Sequence, residues 1–260
     1  MLFRSGWRFV NDAIASAYGV DSMPETAENV AAEFGVSRED QDRLALSSQN
    51  RAAQALATGM LAREICPVDI SRRKAGPVTV ETDEHPRETT LEQLARLPAP
   101  FREGGSVTAG NASGVNDGAA ALLLASEAGI ARHGLTPLAR YDGAASAGVP
   151  PRIMGIGPVP STERLCSQLG LSVADFDRIE LNEAFAAQAI AVCRKLGLDP
   201  FAGHVNPNGG AIALGHPLGM TGARLVGTAA RAIARKEATR ALASLCVGVG
   251  QGVSVALSAC

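Results

Sequence analysis

The sequence predicts an α/β fold built in layers, and three observations support this prediction. From residue 139 onward, short apolar strand patterns alternate with helical patterns, as is typical of α/β domains. Glycine-rich turns at 206–219 and 248–252 separate several of these segments. Hydrophobic residues make up 46% of the 260 residues and charged residues 19%, which is an ordinary composition for a globular chain with a sizeable core.

Residues 1–105 read as a mixed, loop-rich segment. Pro24, with acidic residues directly after it, predicts the start of a helix, because proline and acids both favour the first helical turn. The sequence Ser37-Arg-Glu-Asp40 fits a capping box and predicts a second helix that ends near Thr58-Gly59. Short β-like pieces alternate with breakers over 65–81. This segment therefore predicts two helices followed by short strands.

Residues 106–138 differ in character from what precedes them. Small residues over 107–118 predict a strand and a turn, and the apolar run 119–126 predicts a helix.

Residues 139–260 carry the alternating pattern most clearly. The predicted elements are strands at 138–145 and 178–181, helices at about 161–169, 184–196 and 222–235, and a closing hairpin of strands at 240–247 and 252–258.

Composition and charge exclude several classes of function. The net charge of −2 and the lack of a dense basic run argue against a nucleic-acid surface. No apolar run approaches the roughly 18 residues of a membrane span, and the first residues lack the order of a secretion signal. The 5 cysteines form no C-x-x-C pair, which favours free thiols in a reducing compartment. We therefore expect a cytoplasmic protein.

A metal site is not expected, because the 4 histidines show no H-E-x-x-H or comparable ligand spacing. The glycine-rich turn before the 222–235 helix could cradle an anion. It lacks the lysine of G-x-x-x-x-G-K-[ST], so a nucleotide-binding P-loop is disfavoured.

Two short motifs carry the chemistry of this chain. His216 lies in Gly-His-Pro within the glycine-rich turn, and Cys246 lies at the end of an apolar strand just before Gly248-Val-Gly250. An imidazole near neutral pKa can activate a thiol, and glycine N–H groups can stabilise an oxyanion. These are the parts needed for acyl transfer and carbanion chemistry at a thioester. A structural histidine and a buried strand cysteine remain the alternative.

Asn182 and Glu183 lie at a strand-to-helix junction, in Leu-Asn-Glu-Ala-Phe. Asn182 fits a helix N-cap, and it equally fits an amide that orients a water or a substrate oxygen.

Asn182-Glu-Ala-Phe, Gly209-Gly-Ala-Ile-Ala-Leu-Gly-His216-Pro and Cys246-Val-Gly-Val-Gly, in this order, resemble the active-site blocks of the thiolase family. The resemblance implies a layered α-β-α fold, with a loop domain at 1–105, a remnant of the N-terminal thiolase domain at 106–138 and a complete C-terminal thiolase domain at 139–260. The segment Gly19-Val-Asp-Ser-Met-Pro-Glu-Thr-Ala27 is most similar to the branch that cleaves 3-oxoadipyl-CoA to succinyl-CoA and acetyl-CoA.

The same resemblance implies roles for individual residues. His216 matches the base that activates a nucleophilic cysteine, and Cys246 matches the cysteine that moves a proton to or from the acetyl α-carbon and the CoA thiol. Asn182, through a held water, and His216 match one oxyanion site, and the N–H of Gly248 matches part of the other. Residues that match contacts to CoA are Ser113 at the pantetheine arm, Met23, Phe101, Met154 and Phe185 along its tunnel, and Arg87 near the nucleotide.

The family's partners are implied in the same way. Coenzyme A and acyl-CoA enter as substrates rather than as a resident cofactor, and the full-length form is expected to be a homo-oligomer, a dimer or a tetramer.

One departure from the family pattern limits the prediction. The block that carries the acylated cysteine, similar to Asn-Arg-Leu-Cys-(Ala/Gly)-Ser-Gly, does not occur in the 260 residues, and Cys66 in Glu-Ile-Cys-Pro lacks its context. We therefore expect an N-terminally truncated thiolase that is inactive alone. The alternatives are a non-catalytic acyl-CoA-binding or interaction protein, and a split enzyme whose nucleophile lies on another polypeptide.

Overall fold

The computed structural model describes residues 9–72 and 76–260. Its first part is mainly helical and carries one two-stranded antiparallel hairpin. The elements of this part are α1 (Asp12–Tyr18), α2 (Met23–Glu33), α3 (Arg38–Ala57), β1 (Val68–Arg72), β2 (Gly76–Val80) and α4 (Leu91–Ala95).

The two helices predicted for this part are confirmed. The Ser22 hydroxyl accepts from the N–H of Glu25 at the start of α2, and the Ser37 hydroxyl accepts from the N–H of Asp40 at the start of α3, at 3.0 Å. A serine that caps the free N–H groups of the first turn is the physical reason for these starts.

The second part contains a four-stranded sheet and the helices that cover it. Its elements are α5 (Glu127–His133), β3 (Arg140–Gly148), α6 (Pro158–Leu169), β4 (Arg178–Leu181), α7 (Ala186–Lys195), α8 (Ala211–Leu214), α9 (Thr221–Ala234), β5 (Arg240–Val247) and β6 (Gln251–Ser258). The sheet order is β3-β6-β5-β4, with β4 parallel to β5 and the other two pairs antiparallel. The strands and helices predicted for 139–260 are thereby confirmed, within a few residues at their ends.

Alternation along β5 sends neighbouring side chains to opposite faces of the sheet. Ala241 packs with Ala229 and Ile233 of α9 on one face. Leu242 packs with Leu165 of α6 and Ile190 of α7 on the other. Helices thus cover both faces, which confirms the layered α-β-α architecture.

Helix α7 lies against α2 and α3, and its Ile190 shares the main core with Ile179 and Leu242 of the sheet. Every residue from Ala186 to Cys193 is buried, and most of them are alanine or another small apolar residue. A helix that is apolar all round is stable only when it is enclosed, and small side chains allow neighbouring helices to approach closely. Through α7, the first part of the chain becomes part of the same core as the sheet.

The prediction of a helix at 119–126 is wrong. These residues adopt no regular secondary structure, and Leu123 and Leu124 are 81% and 74% exposed. Gly118 lies against Pro217, and Leu122 lies against Gly227 of α9. The four residues from Gly118 to Leu122 span about 13 Å when extended and about 6 Å when helical. Only the extended chain is long enough to reach both Pro217 and Gly227. Contact with α9 therefore overrides the helix propensity of this alanine- and leucine-rich run.

Smaller differences from the predicted elements concern one strand and several short helices. The strand expected within 107–118 is reduced to a single bridge between Ala112 and Phe185. Four short helices, α1, α4, α5 and α8, were not predicted, and α8 lies within the turn expected at 206–219. No helix in the described ranges is long and apolar enough to cross a membrane.

Candidate active site

The candidate site lies where the parallel strands β4 and β5 end. Leu181, the last residue of β4, pairs with Ser244 of β5, and the N–H of Asn182 donates to the Ser244 carbonyl at 2.9 Å. Because the strands are parallel, their carboxyl ends meet at the same edge of the sheet. Asn182 and Cys246 are therefore brought to one edge from positions 64 residues apart.

Asn206 attaches the glycine-rich turn to this edge. Its side-chain Oδ1 accepts from the Leu181 N–H at 2.8 Å, and its Nδ2 donates to the Leu181 carbonyl at 2.8 Å. The side-chain amide thus occupies the place of a neighbouring strand's peptide group. Asn206 has a φ of 43°, in the left-handed region that asparagine tolerates better than most residues.

A buried carboxylate holds the same turn from the other side. Glu183 accepts from the Ser48 hydroxyl at 2.6 Å, from Nδ2 of Asn206 at 2.9 Å and from the N–H of Ile212 at 3.3 Å. Burial raises the pKa of Glu183, whereas these three donors favour its ionised form. Gly210 is required here, because a Cβ at this position would lie 2.2 Å from the carboxyl carbon of Glu183.

His216 is fixed through both its backbone and its ring. Its N–H donates to the Gly114 carbonyl at 3.0 Å, with Oδ1 of Asn116 at 3.3 Å. Its Nδ1 lies 2.7 Å from the Thr221 hydroxyl, and its Nε2 lies 3.3 Å from Nδ2 of Asn182. The structure therefore places His216 and Asn182, which are 34 residues apart in sequence, in direct contact.

The electrostatic environment keeps both chemical groups neutral. Burial, together with the nearby Arg224 charge, lowers the pKa of His216 from 6.5 to about 4. Burial raises the pKa of the Cys246 thiol from 9.0 to about 12. At neutral pH the imidazole keeps a free lone pair and the thiol keeps its proton. This pair is suited to accepting and donating protons, and it does not form a standing thiolate–imidazolium pair.

Cys246 and His216 are linked only indirectly. In residues 9–72 and 76–260 no hydrogen bond joins the Cys246 thiol to His216. Asn182 contacts the His216 ring, and its N–H donates to the carbonyl of Ser244, two residues before Cys246. Oδ1 of Asn182 is buried and accepts no hydrogen bond from the part of the chain that the structure describes. An acceptor of this kind is available to a water molecule or to a substrate group.

The turn after β5 contains Gly248, Val249 and Gly250. A Cβ at Gly248 would lie 3.9 Å from the sulfur of Met23, so the Gly248 backbone faces the Met23 side chain. Val249 has a φ of 66°, a conformation that is costly for a β-branched residue. The carbonyl of Gly250 accepts from the N–H of Val149 at 2.8 Å, which holds the turn against the neighbouring loop.

The predicted tunnel residues form one apolar cluster around Cys246. Met154 and Phe185 are buried in it, and Met23 and Phe101 pack against it from more accessible positions. The structure therefore brings together all four residues that the sequence implied, although they come from four different segments of the chain.

Ser113 is partly buried and follows Ala112, which packs against this cluster. The N–H and the hydroxyl of Ser113 both donate to the Ala184 carbonyl, each at 3.0 Å. Arg87 is exposed, and its guanidinium lies 3.4 Å from Nε2 of His85. The His85 ring covers Gly114, the residue after Ser113. Arg87 is thus connected to the Ser113 loop through His85.

Sequence reasoning missed four residues that hold the site. They are Ser48, Asn116, Asn206 and Thr221. Thr221 gave a usable signal, since it is a hydroxyl residue five positions after His216 at the start of a predicted helix. Ser48 gave none, because its contact with Glu183 spans 135 residues.

No group of His, Cys, Asp or Glu side chains in the described ranges is arranged to hold a metal ion.

This architecture and site belong to a known class of protein. The thiolase C-terminal domain matches residues 135–259, and the thiolase N-terminal domain matches residues 8–128. The chain therefore belongs to the thiolase family.

Among its relatives, the chain is 59% identical over 253 residues to the 3-oxoadipyl-CoA/3-oxo-5,6-dehydrosuberyl-CoA thiolase of Escherichia coli K12. It is also 59% identical to the beta-ketoadipyl-CoA thiolase of Pseudomonas putida, and 50% identical over 250 residues to an acetyl-CoA acetyltransferase of Pseudomonas aeruginosa. The first two alignments cover 97% of this chain and 63% of the relative. The chain thus spans about 63% of the length of these relatives.

Two solved structures have the same fold. The Bacillus anthracis acetyl-CoA acetyltransferase superposes with a TM-score of 0.90 at 42% identity, over 99% of this chain and 67% of the other. The human mitochondrial 3-ketoacyl-CoA thiolase superposes with a TM-score of 0.84 at 43% identity, over 92% of this chain and 60% of the other.

Proposed function

We propose that this chain supplies the acid/base half of a thiolase active site, for CoA-dependent thiolytic cleavage of a 3-oxoacyl-CoA. The observation that carries the proposal is the convergence of Asn182, His216 and Cys246 at one sheet edge beside an apolar cluster. The similarity to beta-ketoadipyl-CoA thiolases supports 3-oxoadipyl-CoA as the substrate, with succinyl-CoA and acetyl-CoA as products.

In this reaction His216 takes the proton of a nucleophilic cysteine thiol, and the thiolate attacks the 3-oxo carbon of the substrate. The C2–C3 bond breaks, the acyl group stays on the nucleophile, and the C2 carbanion takes the proton of Cys246 to give acetyl-CoA. A thiol with a pKa of about 12 remains protonated until such a strong base forms beside it.

In the second half of the reaction, the thiolate of Cys246 takes the proton of an incoming CoA thiol. Burial raises the pKa of the Cys246 thiol to about 12, so its thiolate is a strong enough base to take this proton. The CoA thiolate then attacks the acyl group, and the released nucleophile recovers its proton from His216. Both residues return to their starting states.

The two oxyanions of this pathway need hydrogen-bond donors. We assign one to Nε2 of His216 and a water held by the unpaired Oδ1 of Asn182, and the other to the N–H of Gly248. Ser113 is assigned to the pantetheine arm and the exposed Arg87 to the nucleotide end of CoA.

We further propose that the 260-residue polypeptide is inactive by itself, because its sequence contains no nucleophile block of the family type. Cys66 is exposed, its thiol lies 3.9 Å from the Pro67 carbonyl, and it is not part of the apolar cluster around Cys246. The chain should give no CoA-dependent cleavage of 3-oxoadipyl-CoA, and mass spectrometry should find no acylated cysteine. Turnover that is lost on changing Cys66 or Cys246 would contradict this.

The acid/base assignment is tested in a chimera that joins the nucleophile-bearing segment of the Escherichia coli relative to this chain. The chimera should cleave 3-oxoadipyl-CoA, and His216→Ala or Cys246→Ala should lower its kcat by at least about 100-fold. A matched control is Cys166→Ala, because Cys166 is buried in the main core away from the site. A folded, active chimera that tolerates Cys246→Ala would overturn the assignment. The ratio of kcat/KM for 3-oxoadipyl-CoA to that for acetoacetyl-CoA tests the acyl chain.

The second candidate function is binding of CoA or acyl-CoA without catalysis. It is favoured by the apolar cluster around Cys246, which consists of residues of this chain and does not need the segment that carries the nucleophilic cysteine. Calorimetric titration of the chain with CoA tests it, and a Kd weakened by Phe185→Ala would support it. We also propose that the protein is cytoplasmic and that its full-length form is a dimer or a tetramer. Sedimentation of the chimera tests the oligomeric state.

A further inference from the structure

The contact between His216 and Thr221 carries information about the proton of the imidazole ring. The Thr221 oxygen lies 2.7 Å from Nδ1 of His216 and 2.9 Å from the Pro217 carbonyl oxygen. Thr221 is 1% exposed, and it is the first residue of helix α9. Its hydroxyl is therefore held between two groups inside the protein.

Only one arrangement of protons satisfies both contacts, because a hydroxyl has a single proton to donate. If it donates to Nδ1, two oxygen acceptors face each other at 2.9 Å with no proton between them. If it donates to the Pro217 carbonyl, it accepts from Nδ1, and Nδ1 must then carry a proton. The second arrangement places a proton in each contact.

The opposite side of the ring agrees with this arrangement. The neighbour of Nε2 is Nδ2 of Asn182 at 3.3 Å, which is a donor. A donor facing Nε2 requires a lone pair there, and a neutral imidazole with its proton on Nδ1 provides one. With Nδ2 of Asn182 facing the ring, its Oδ1 faces away from the ring, where it accepts no hydrogen bond from the described residues.

We propose that Thr221 is a positioning residue, which fixes His216 as the Nδ1–H tautomer and thereby presents Nε2 as the proton acceptor. The hydroxyl is itself aligned by the Pro217 carbonyl one helical turn earlier. The catalytic importance of the tautomer rests on the proposed function, whereas the tautomer itself does not.

The experiment is nitrogen-15 NMR of the ring nitrogens in the full chain at pH 7, with His216→Gln used to assign the signal. We expect His216 as the Nδ1–H tautomer in the wild type and in Thr221→Ser, which keeps the hydroxyl. Thr221→Val keeps the shape and removes the hydroxyl, so the Nε2–H form should appear in it. An Nε2–H ring in the wild type would overturn the proposal even if Thr221→Val did not fold. An unchanged tautomer in a folded Thr221→Val would do the same.

A kinetic measurement in the chimera separates this inference from the proposed function. There Thr221→Val should lower kcat by at least about tenfold with little change in KM, and Thr221→Ser should restore most of it. If the wild type is the Nδ1–H tautomer but the wild-type chimera is inactive, the tautomer assignment is supported and the proposed function is contradicted. An active chimera that tolerates Thr221→Val would remove the role of Thr221 in positioning the base.

Discussion

At the scale of single residues, His216 combines burial with a nearby positive charge. Both lower its pKa, from 6.5 to about 4, so the folded protein holds the ring neutral where an unfolded chain would protonate it. A depressed pKa on a base means that the unfolded state binds more protons between these two values. The contribution of the neutral His216 ring to stability is therefore fully present above about pH 6.5 and is lost as the pH falls toward 4.

We predict that His216→Gln flattens this acid-side decline. Between pH 7 and pH 4.5, the wild type should lose roughly 1–3 kcal/mol more unfolding free energy than the variant, as measured by urea denaturation. The control is His133→Gln, an exposed histidine at the end of α5, which should follow the wild-type curve. Parallel curves for wild type and His216→Gln would show that the ring is not buried as described.

At the scale of elements, the glycine-rich turn depends on close contact between its backbone and Glu183. A Cβ at Gly210 would meet the Glu183 carboxyl carbon at 2.2 Å, and the carboxylate is itself held by Ser48 and Asn206. The turn cannot shift without breaking buried hydrogen bonds, and each buried polar group left unpaired costs about 1–3 kcal/mol.

We predict that Gly210→Ala destabilises the chain by about 2–4 kcal/mol, through overpacking and loss of a buried hydrogen bond. Gly203→Ala is the matched control, because a Cβ there would meet no atom within 4 Å and the residue has no positive φ. Thermal unfolding followed by circular dichroism compares the two. Similar melting temperatures for both variants would contradict the proposed tight contact.

At the scale of the whole molecule, the extended segment 118–126 exposes three consecutive leucines. Leu122, Leu123 and Leu124 are 42%, 81% and 74% exposed, and among the described residues no strand pairs with 118–126. Exposed apolar patches and unpaired strand-like backbone both promote association.

We predict that the chain associates in a concentration-dependent way, and that Leu123→Glu combined with Leu124→Glu reduces this association. Analytical ultracentrifugation of wild type and variant gives the measurement. Ile70→Glu, which changes an exposed apolar residue on the β1–β2 hairpin, serves as control and should leave association unchanged. Equal association of the double variant and the wild type would assign the contact to another surface.

Local sequence patterns were sufficient where an element's own residues decide its conformation. The capping serine Ser37 and the apolar periods of 178–181 and 240–247 each act over a few residues, and the corresponding elements are present. The helix expected at 119–126 is absent because contact with α9, about 100 residues later, determines its conformation. Propensity is a weak prior when such distant contacts compete with it.

By itself, the sequence determined the family, the α/β architecture of 139–260 and the identity of His216, Cys246 and Asn182 as candidate residues. The tertiary structure alone decided that His216 contacts Asn182 and that Asn182 and Cys246 lie at the same end of the sheet, because the parallel pairing of β4 with β5 sets which strand ends are neighbours. It also decided their protonation, since pKa values near 4 for His216 and 12 for Cys246 come from burial by segments far away in the chain. Burial and the direction of a hydrogen bond depend on atoms that only folding brings together, so no local pattern encodes them.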